Sequence, residues 1–183
     1  MGDNFACMLH VKNDNASSDV KCWGYNENGL LGNGNSYIGD TPSELGDNLP
    51  TLKFGTGFET VVGIFSSVYQ HKCAIFSNNK MKCWGENNRG RHGNGNMTDR
   101  GFLARHMGEY SQSTLLGDGV NVDSVLSASK RVSLGGDYSC VAVDSNDTMK
   151  CFGEGATGRL GYGNQTDYCS TACLLYTSDA ADE

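Results

Sequence analysis

The sequence predicts an all-β fold built from three similar antiparallel units, on three observations. A phrase beginning Lys-Cys-aromatic-Gly returns at Lys21-Cys22-Trp23-Gly24, Lys82-Cys83-Trp84-Gly85 and Lys150-Cys151-Phe152-Gly153. A second cysteine stands a hairpin's length before each phrase, at Cys7, Cys73 and Cys140. The 183 residues hold 25 glycines but 2 prolines, a balance of many tight turns rather than of a disordered linker. Counted from the aromatic, glycine recurs at offsets one, six, nine and eleven, with asparagine at twelve, in all three copies. The aromatics stand 61 and 68 residues apart, the length of one blade-like unit. A fixed long period marks a repeat architecture, in which a single unit cannot bury its own apolar face.

The elements follow in order. In the first unit Phe5-Ala6-Cys7 leads over a tip at Asn13-Asp14-Asn15-Ala16 to Lys21-Cys22-Trp23. In the second, Ala74-Ile75-Phe76 passes through Ser77-Asn78-Asn79 to Lys80-Met81-Lys82. In the third, Val141-Ala142-Val143 passes through Asp144-Ser145-Asn146-Asp147 to Thr148-Met149-Lys150. Apolar and β-branched runs around Asn, Asp and Ser turns are the hairpin signal. In the third unit an antiparallel register pairs 140 with 151, 141 with 150, 142 with 149 and 143 with 148. The same arithmetic sets the cysteines of every unit opposite one another. Opposed residues at a non-hydrogen-bonded site lie about 4.5 Å apart at Cα, within a disulfide's reach.

Cys7/Cys22, Cys73/Cys83 and Cys140/Cys151 are therefore candidate cross-strand disulfides, which implies an oxidising compartment, secreted or lumenal. Two other readings stand beside it. The cysteines are small reduced core residues, consistent with a cytoplasmic protein, or they are metal ligands, although no histidine stands at ligand spacing. Cys169 has no counterpart in the other units and is either free or paired outside them. Thr60–Phe65 and Arg131–Leu134 supply further strands. Trp23, Trp84 and Phe152 end inner strands and are expected to pack between units. The glycines after them allow positive φ in a compact loop.

With these residues in view the chain resembles the regulator of chromosome condensation repeat family. The phrase Cys/Val-Trp-Gly-x-Asn-x-x-Gly-x-Leu-Gly-x-Gly carries the likeness, as do Cys73-Ala74-Ile75 before it and Gly39–Pro50 as the connection between units. The resemblance covers residues 1–172. It implies an incomplete β-propeller of about three blades, in a family whose rings hold about seven four-stranded blades. Two departures fall in the second unit. His92 stands where the others have Leu31 and Leu160, and Val68-Tyr69 replaces Gly135-Gly136, which loosens the expected register there. Arg100–Gly119 also departs from the Gly39–Pro50 pattern and reads as a distinct surface loop.

The chain reads as a fragment cut at its N-terminal side, because Met1–Cys7 already lies inside a repeat. The remaining blades are then missing from it. Residues 173–183 share nothing with the repeats. They resemble the translation of a transposon-type sequencing-library adapter, in the frame TGT CTC TTA TAC ACA TCT GAC GCT GCC GAC, and are expected to be a non-native tail. Without Asp179, Asp182 and Glu183 the 21 acidic residues become 18 against 14 basic ones, and the net charge moves from −7 to −4. No basic stripe offers itself to phosphates, so nucleic acid is not an expected partner. No stretch approaches the roughly 18 apolar residues of a membrane span.

Motifs that suggest chemistry dissolve on inspection. Gly153-x-Gly155-x-x-Gly158 matches a dinucleotide fingerprint but is only the third copy of the phrase, with no helical period after it. Asp144-x-Asn146 begins like a calcium loop, yet Gly155 stands where the closing glutamate belongs. His10, His71, His92 and His106 are scattered and suggest no catalytic set, and His71 takes the packing position of Phe5 and Tyr138. Four glycosylation sequons occur, at Asn15, Asn96, Asn146 and Asn164, the first and third on hairpin tips. No catalytic residue, cofactor or metal is expected.

The function expected is a non-enzymatic scaffold whose loops bind a protein or ligand, with the Asn13–Ser18 tip and the Phe102–Tyr110 connection as the first places to look. The alternatives are guanine-nucleotide exchange on a small GTPase, which the resemblance implies for some members and which needs reduced thiols, or a targeting arm of a larger enzyme. A chain of three blades cannot close a ring and is expected to associate through its open edges.

Overall fold

The computed structural model describes residues 4–12, 17–34, 37–58, 60–124, 131–143 and 148–171. Within them nine strands form three antiparallel sheets. Sheet 1 holds β1 (Phe5–Val11), β2 (Ser18–Tyr25) and β3 (Tyr37–Ile38). Sheet 2 holds β4 (Val61–Ser66), β5 (His71–Phe76) and β6 (Met81–Gly85). Sheet 3 holds β7 (Val132–Leu134), β8 (Tyr138–Val143) and β9 (Thr148–Gly153). In sheets 2 and 3 the strand after the phrase shrinks to one bridge, Gly85 to Arg100 and Gly153 to Tyr168, at the place that Tyr37–Ile38 takes in sheet 1. Each sheet with the loops after it is one blade of an incomplete propeller.

The hairpin registers follow the index sums of the sequence. Cys7 faces Cys22, Cys73 faces Cys83 and Cys140 faces Cys151, with Cα atoms 4.0 to 4.1 Å apart and each pair joined as a disulfide. Lys12 N–H reaches Ser17 O at the end of the first hairpin, so its register holds up to the tip. The phrase loops form for a local reason. The Asn26 side-chain oxygen accepts the Leu31 N–H at 2.7 Å, and Asn87 does the same for His92 at 2.8 Å. One asparagine thereby closes each turn that the glycines open.

Three expectations are refined. In the second blade β5 and β6 are buried along their whole length and pair without a break, and the irregularity of register falls between β4 and β5, where it shifts between Val61 and Gly63. Arg100–Gly119 is not a distinct loop. Its two 3-10 turns, Ala104–His106 and Gly108–Tyr110, repeat Pro42–Glu44 and Gly46–Asn48 of the first blade. Each turn closes alike, through Leu45 and Leu49 N–H in one blade and Met107 and Ser111 N–H in the other. Cys169 is not free; it is disulfide-bonded and sits at a φ of 64°, in the place Gly101 holds one blade earlier at 100°. Residues 173–183 lie outside the described residues.

Candidate functional site: two seams and a loop face

Buried side chains gather where blades meet. Between blades 1 and 2, Val20, Cys22, Leu30, Leu31 and Phe54 pack against Val61, Ala74, Phe76 and Trp84. Between blades 2 and 3, Cys73, Ile75, Met81 and Cys83 pack against Val132, Val141, Val143 and Phe152. Alternation along the strands assigns the faces. Aromatic and phrase lysine look back to the preceding blade, and the disulfide looks forward to the next.

Both seams are fastened by side-chain donors on main-chain carbonyls of the preceding blade, to which Lys82 adds one within its own blade, Gly108 O. Trp84 Nε1 donates to Leu30 O at 3.0 Å and Lys72 Nζ donates to the same oxygen at 2.7 Å. Lys82 Nζ donates to Phe54 O at 2.7 Å and to Gly108 O at 3.2 Å. One blade on, Lys150 Nζ donates to Leu116 O at 2.5 Å, and Ser139 Oγ donates to Arg91 O at 2.8 Å. Arg91 and Leu30 hold the same offset after their aromatics, so the second seam repeats the first with serine in place of lysine.

The chemistry around these contacts differs. In the first seam the lysines lie on rings: Lys72 Nζ is 3.5 Å from the Phe5 centroid and Lys82 Nζ 3.9 Å from that of Phe58. Burial without an acid partner pushes the Lys72 amine down to about 6. In the second seam Arg91, almost wholly buried, pairs with Asp137 of blade 3 at 2.8 Å and Glu86 of its own blade at 3.2 Å. His71 Nε2 meets Ser139 Oγ at 2.9 Å. Burial holds His71 well below the usual imidazole range, helped by the nearby charges of His92 and Arg91. Burial and then Arg91 bring His92 down to about 3, against the opposing pull of the Trp84 and Glu86 carbonyls.

Trp84 and Phe152 are buried in these seams, while Trp23 is half-buried on the open side of blade 1. The sequons at Asn96 and Asn164 belong to the glycine loop. Each side-chain oxygen accepts the N–H of the residue two further on, Thr98 or Thr166, at 2.9 Å. Asn164 is exposed, whereas Asn96 is half-buried and donates to Gln112 Oε1. Asn15 and Asn146 lie outside the described residues, as does most of the Asn13–Ser18 tip. The Phe102–Tyr110 connection is structural in part. A Cβ on Gly34 would lie 2.8 Å from Ala104 N, so blade 1 needs that glycine to admit the connection.

Sequence reasoning missed the loop face beside the first seam. Val68 and Tyr69 are 75% and 65% exposed. Ser67 Oγ fixes their turn by accepting the N–H groups of Tyr69 and His71. Tyr25 and Tyr37 stack next to them with centroids 5.8 Å apart. A shallow cavity of about 160 Å³ lies between, bordered by Phe5, Tyr25, Glu27, Leu30, Val68 and Tyr69. The signal was present in the sequence as Val-Tyr in place of Gly-Gly. Among the described residues no group of three or more metal-binding side chains gathers, and no helix is long and apolar enough to cross a membrane.

No protein-family model matches the sequence. Among solved structures the chain is similar to yeast RCC1 (Prp20) bound to Kap60, at 15% identity and a TM-score of 0.58, over 97% of this chain and 36% of that one. It is also similar to Prp20p from Saccharomyces cerevisiae, reported with its binding properties to Gsp1p and histones, at 16% identity and a TM-score of 0.59, over 97% and 37%. The chain thus spans little more than a third of the length of these structures. Identities this low speak to the fold alone, and the fold is an arc of three blades of an RCC1-type β-propeller.

Proposed function

We propose that the chain is part of a non-enzymatic propeller scaffold that binds a protein through its loop face. The observation that carries the reading is the exposed Val68-Tyr69 turn beside the stacked Tyr25–Tyr37 pair. A rigid turn that presents two apolar side chains to water is costly unless something covers them. Supporting it, the recurrent residues of the phrase are consumed in seams and turns. The similar structures are those of proteins described with protein partners: Kap60, Gsp1p and histones. Nucleotide exchange on a small GTPase is disfavoured by the three disulfides, which belong to an oxidising compartment. The scaffold is accordingly secreted or lumenal, with Asn164 the more exposed of the two described sequons, Asn96 and Asn164.

The test is cross-linking of the disulfide-intact protein in its native extract, against a Val68→Asp/Tyr69→Asp variant of unchanged circular dichroism. Loss of a discrete cross-linked species in the variant supports the reading. An identical cross-link pattern in both overturns it. Thiol titration of the native protein tests the compartment, since reactive cysteines at the three hairpins would return the exchange-factor reading.

A further inference from the structure

The chain fills one seam with its own arginine and leaves the equivalent place in the other seam open. Between blades 2 and 3 the Arg91 guanidinium lies in a nest of acceptors. Its Nη1 donates to Glu86 Oε2 at 3.2 Å and to Gly136 O at 3.3 Å. Its Nη2 donates to Asp137 Oδ1 at 2.8 Å and to the Asn88 side-chain oxygen. Positions are matched by counting from the aromatic and from the first hairpin cysteine. Between blades 1 and 2 Leu30 then takes the place of Arg91, Tyr25 that of Glu86 and Glu27 that of Asn88, while Tyr69 and Gln70 take those of Gly136 and Asp137. All five border the shallow cavity of about 160 Å³. Leucine stops where arginine would continue, and the cavity is the space left. Its walls, the phrase loop of blade 1 and the turn of blade 2, meet in an internal seam.

The lining suits a cation. Among the described residues Glu27 is the only charged one that borders the cavity, and its exposed carboxylate makes no ion pair or hydrogen bond with the others. Tyr25 brings a ring where blade 2 has a carboxylate, and a guanidinium stacks on such a face. The Gln70 side-chain oxygen accepts from Asn28 Nδ2 across the seam, which braces the wall. Lys72, the amine behind that wall, rests on Phe5 and donates to Leu30 O. Burial brings it down to about 6, so at neutral pH it carries no charge to repel a cation. The volume falls below the roughly 300 Å³ at which small-molecule sites begin and fits one long side chain.

We propose, resting on the loop face as the docking surface, that this cavity receives one arginine side chain of the protein partner. The incoming guanidinium takes the place that Arg91 fills one blade further on. It pairs with the Glu27 carboxylate, lies on the Tyr25 ring and donates to Tyr69 O, the counterpart of Gly136 O. Val68, beside it, covers the apolar stem of the same side chain. A lysine would bring a point charge to a nest shaped for a planar fork. Buried arginine with a carboxylate and an aromatic partner is a common anchor of protein interfaces.

Two measurements on the disulfide-intact protein test this: titration with Nα-acetyl-arginine amide, read by backbone amide resonances, and cross-linking in the native extract. The expected result is saturable shifts at Glu27, Tyr69 and Gln70, weakened about tenfold with the citrulline analogue, which keeps the shape and loses the charge. Glu27→Gln, an exposed change that leaves the packed wall alone, is expected to weaken the titration to a similar degree and to deplete the cross-linked species. Leu30→Arg, which copies Arg91, fills the cavity from within and is expected to abolish both. The inference is overturned by the absence of saturable shifts, by citrulline binding as well as arginine, or by a Glu27→Gln protein that titrates unchanged. Full cross-linking in Glu27→Gln also overturns it, since the cavity would then take a free guanidinium but no partner's arginine. If Val68→Asp/Tyr69→Asp still loses the species in that case, the docking surface stands without the arginine. If that variant keeps the species, the docking surface itself falls.

Discussion

The two internal seams use one plan with opposite materials. The first seals rings against rings and lays lysine amines on them: Phe54 meets Phe76 edge-on at 5.1 Å and Trp84 at 5.5 Å. The second puts Phe152 beside imidazole, guanidinium and carboxylate. What stays constant is the donor on a backbone carbonyl; what changes is the electrostatic cost around it. Apolar burial stabilises the first seam at every pH except for its lysines, Lys72 and Lys82. The second depends on keeping two histidines neutral beside an arginine.

Substitutions can break that contrast. The largest effect is expected for Trp84→Ala, which empties the aromatic seam and costs about 3–5 kcal/mol in chemical denaturation. A loss below about 1 kcal/mol would show that blades 1 and 2 are not joined through this ring. Next, Lys72→Met is expected to stabilise by about 1–3 kcal/mol at neutral pH, because an amine that must give up its proton to be buried without an acid partner is replaced by an apolar chain of similar volume. The folded amine titrates at about 6 against the ordinary lysine value of 10.5, so between those values the unfolded chain holds a proton that the folded one refuses. Stability therefore rises with pH through that window, and Lys72→Met flattens the rise.

Acid sharpens the comparison from the other side. Both seam histidines are depressed from 6.5, so their neutral forms favour the fold above that pH and the contribution is lost as pH falls below it. His92→Leu, which copies Leu31 and Leu160, is expected to recover about 1–2 kcal/mol below pH ~5 and to lower the acid-unfolding midpoint. An unchanged midpoint would mean that the acid loss arises elsewhere. The smallest effect is expected for Ser139→Ala, about 1 kcal/mol, from the lost hydrogen bonds to Arg91 O and His71. A double-mutant cycle with His71→Phe should show the two changes to be coupled.

The hairpins were legible because their information is local. Cysteines at Cys140 and Cys151 with a polar tip between them fix a register by counting alone, and the same count serves the other blades. The phrase was legible as a motif but not as a landing surface, because the atoms that require Gly29, Gly90 and Gly93 to lack a side chain come from the next blade. The lysines were visible as part of the phrase, yet their acceptors, Phe54 O and Leu116 O, are backbone atoms with no residue signature. Arg100–Gly119 looked foreign since Met107 and Tyr110 share no side chain with Leu45 and Asn48. The spacing of a hydrophobic residue, a positive-φ glycine and an acid in Met107-Gly108-Glu109 and Leu45-Gly46-Asp47 was the clue to their common turns. Val68-Tyr69 read as a defect in the repeat and proved to be the exposed part of the loop face.

The carbonyls that receive Trp84, Lys72, Lys82, Ser139 and Lys150 belong to Leu30, Phe54, Arg91 and Leu116, residues with nothing else in common. An acceptor that every amino acid possesses places no demand on the codon that specifies it. A gene segment encoding one blade can therefore be duplicated, exchanged or allowed to drift at those codons while its neighbour still finds an oxygen in the right place. Inheritance in such a molecule can proceed by whole units, with variation tolerated at the acceptor positions and resisted at the lysine, the aromatic and the glycines.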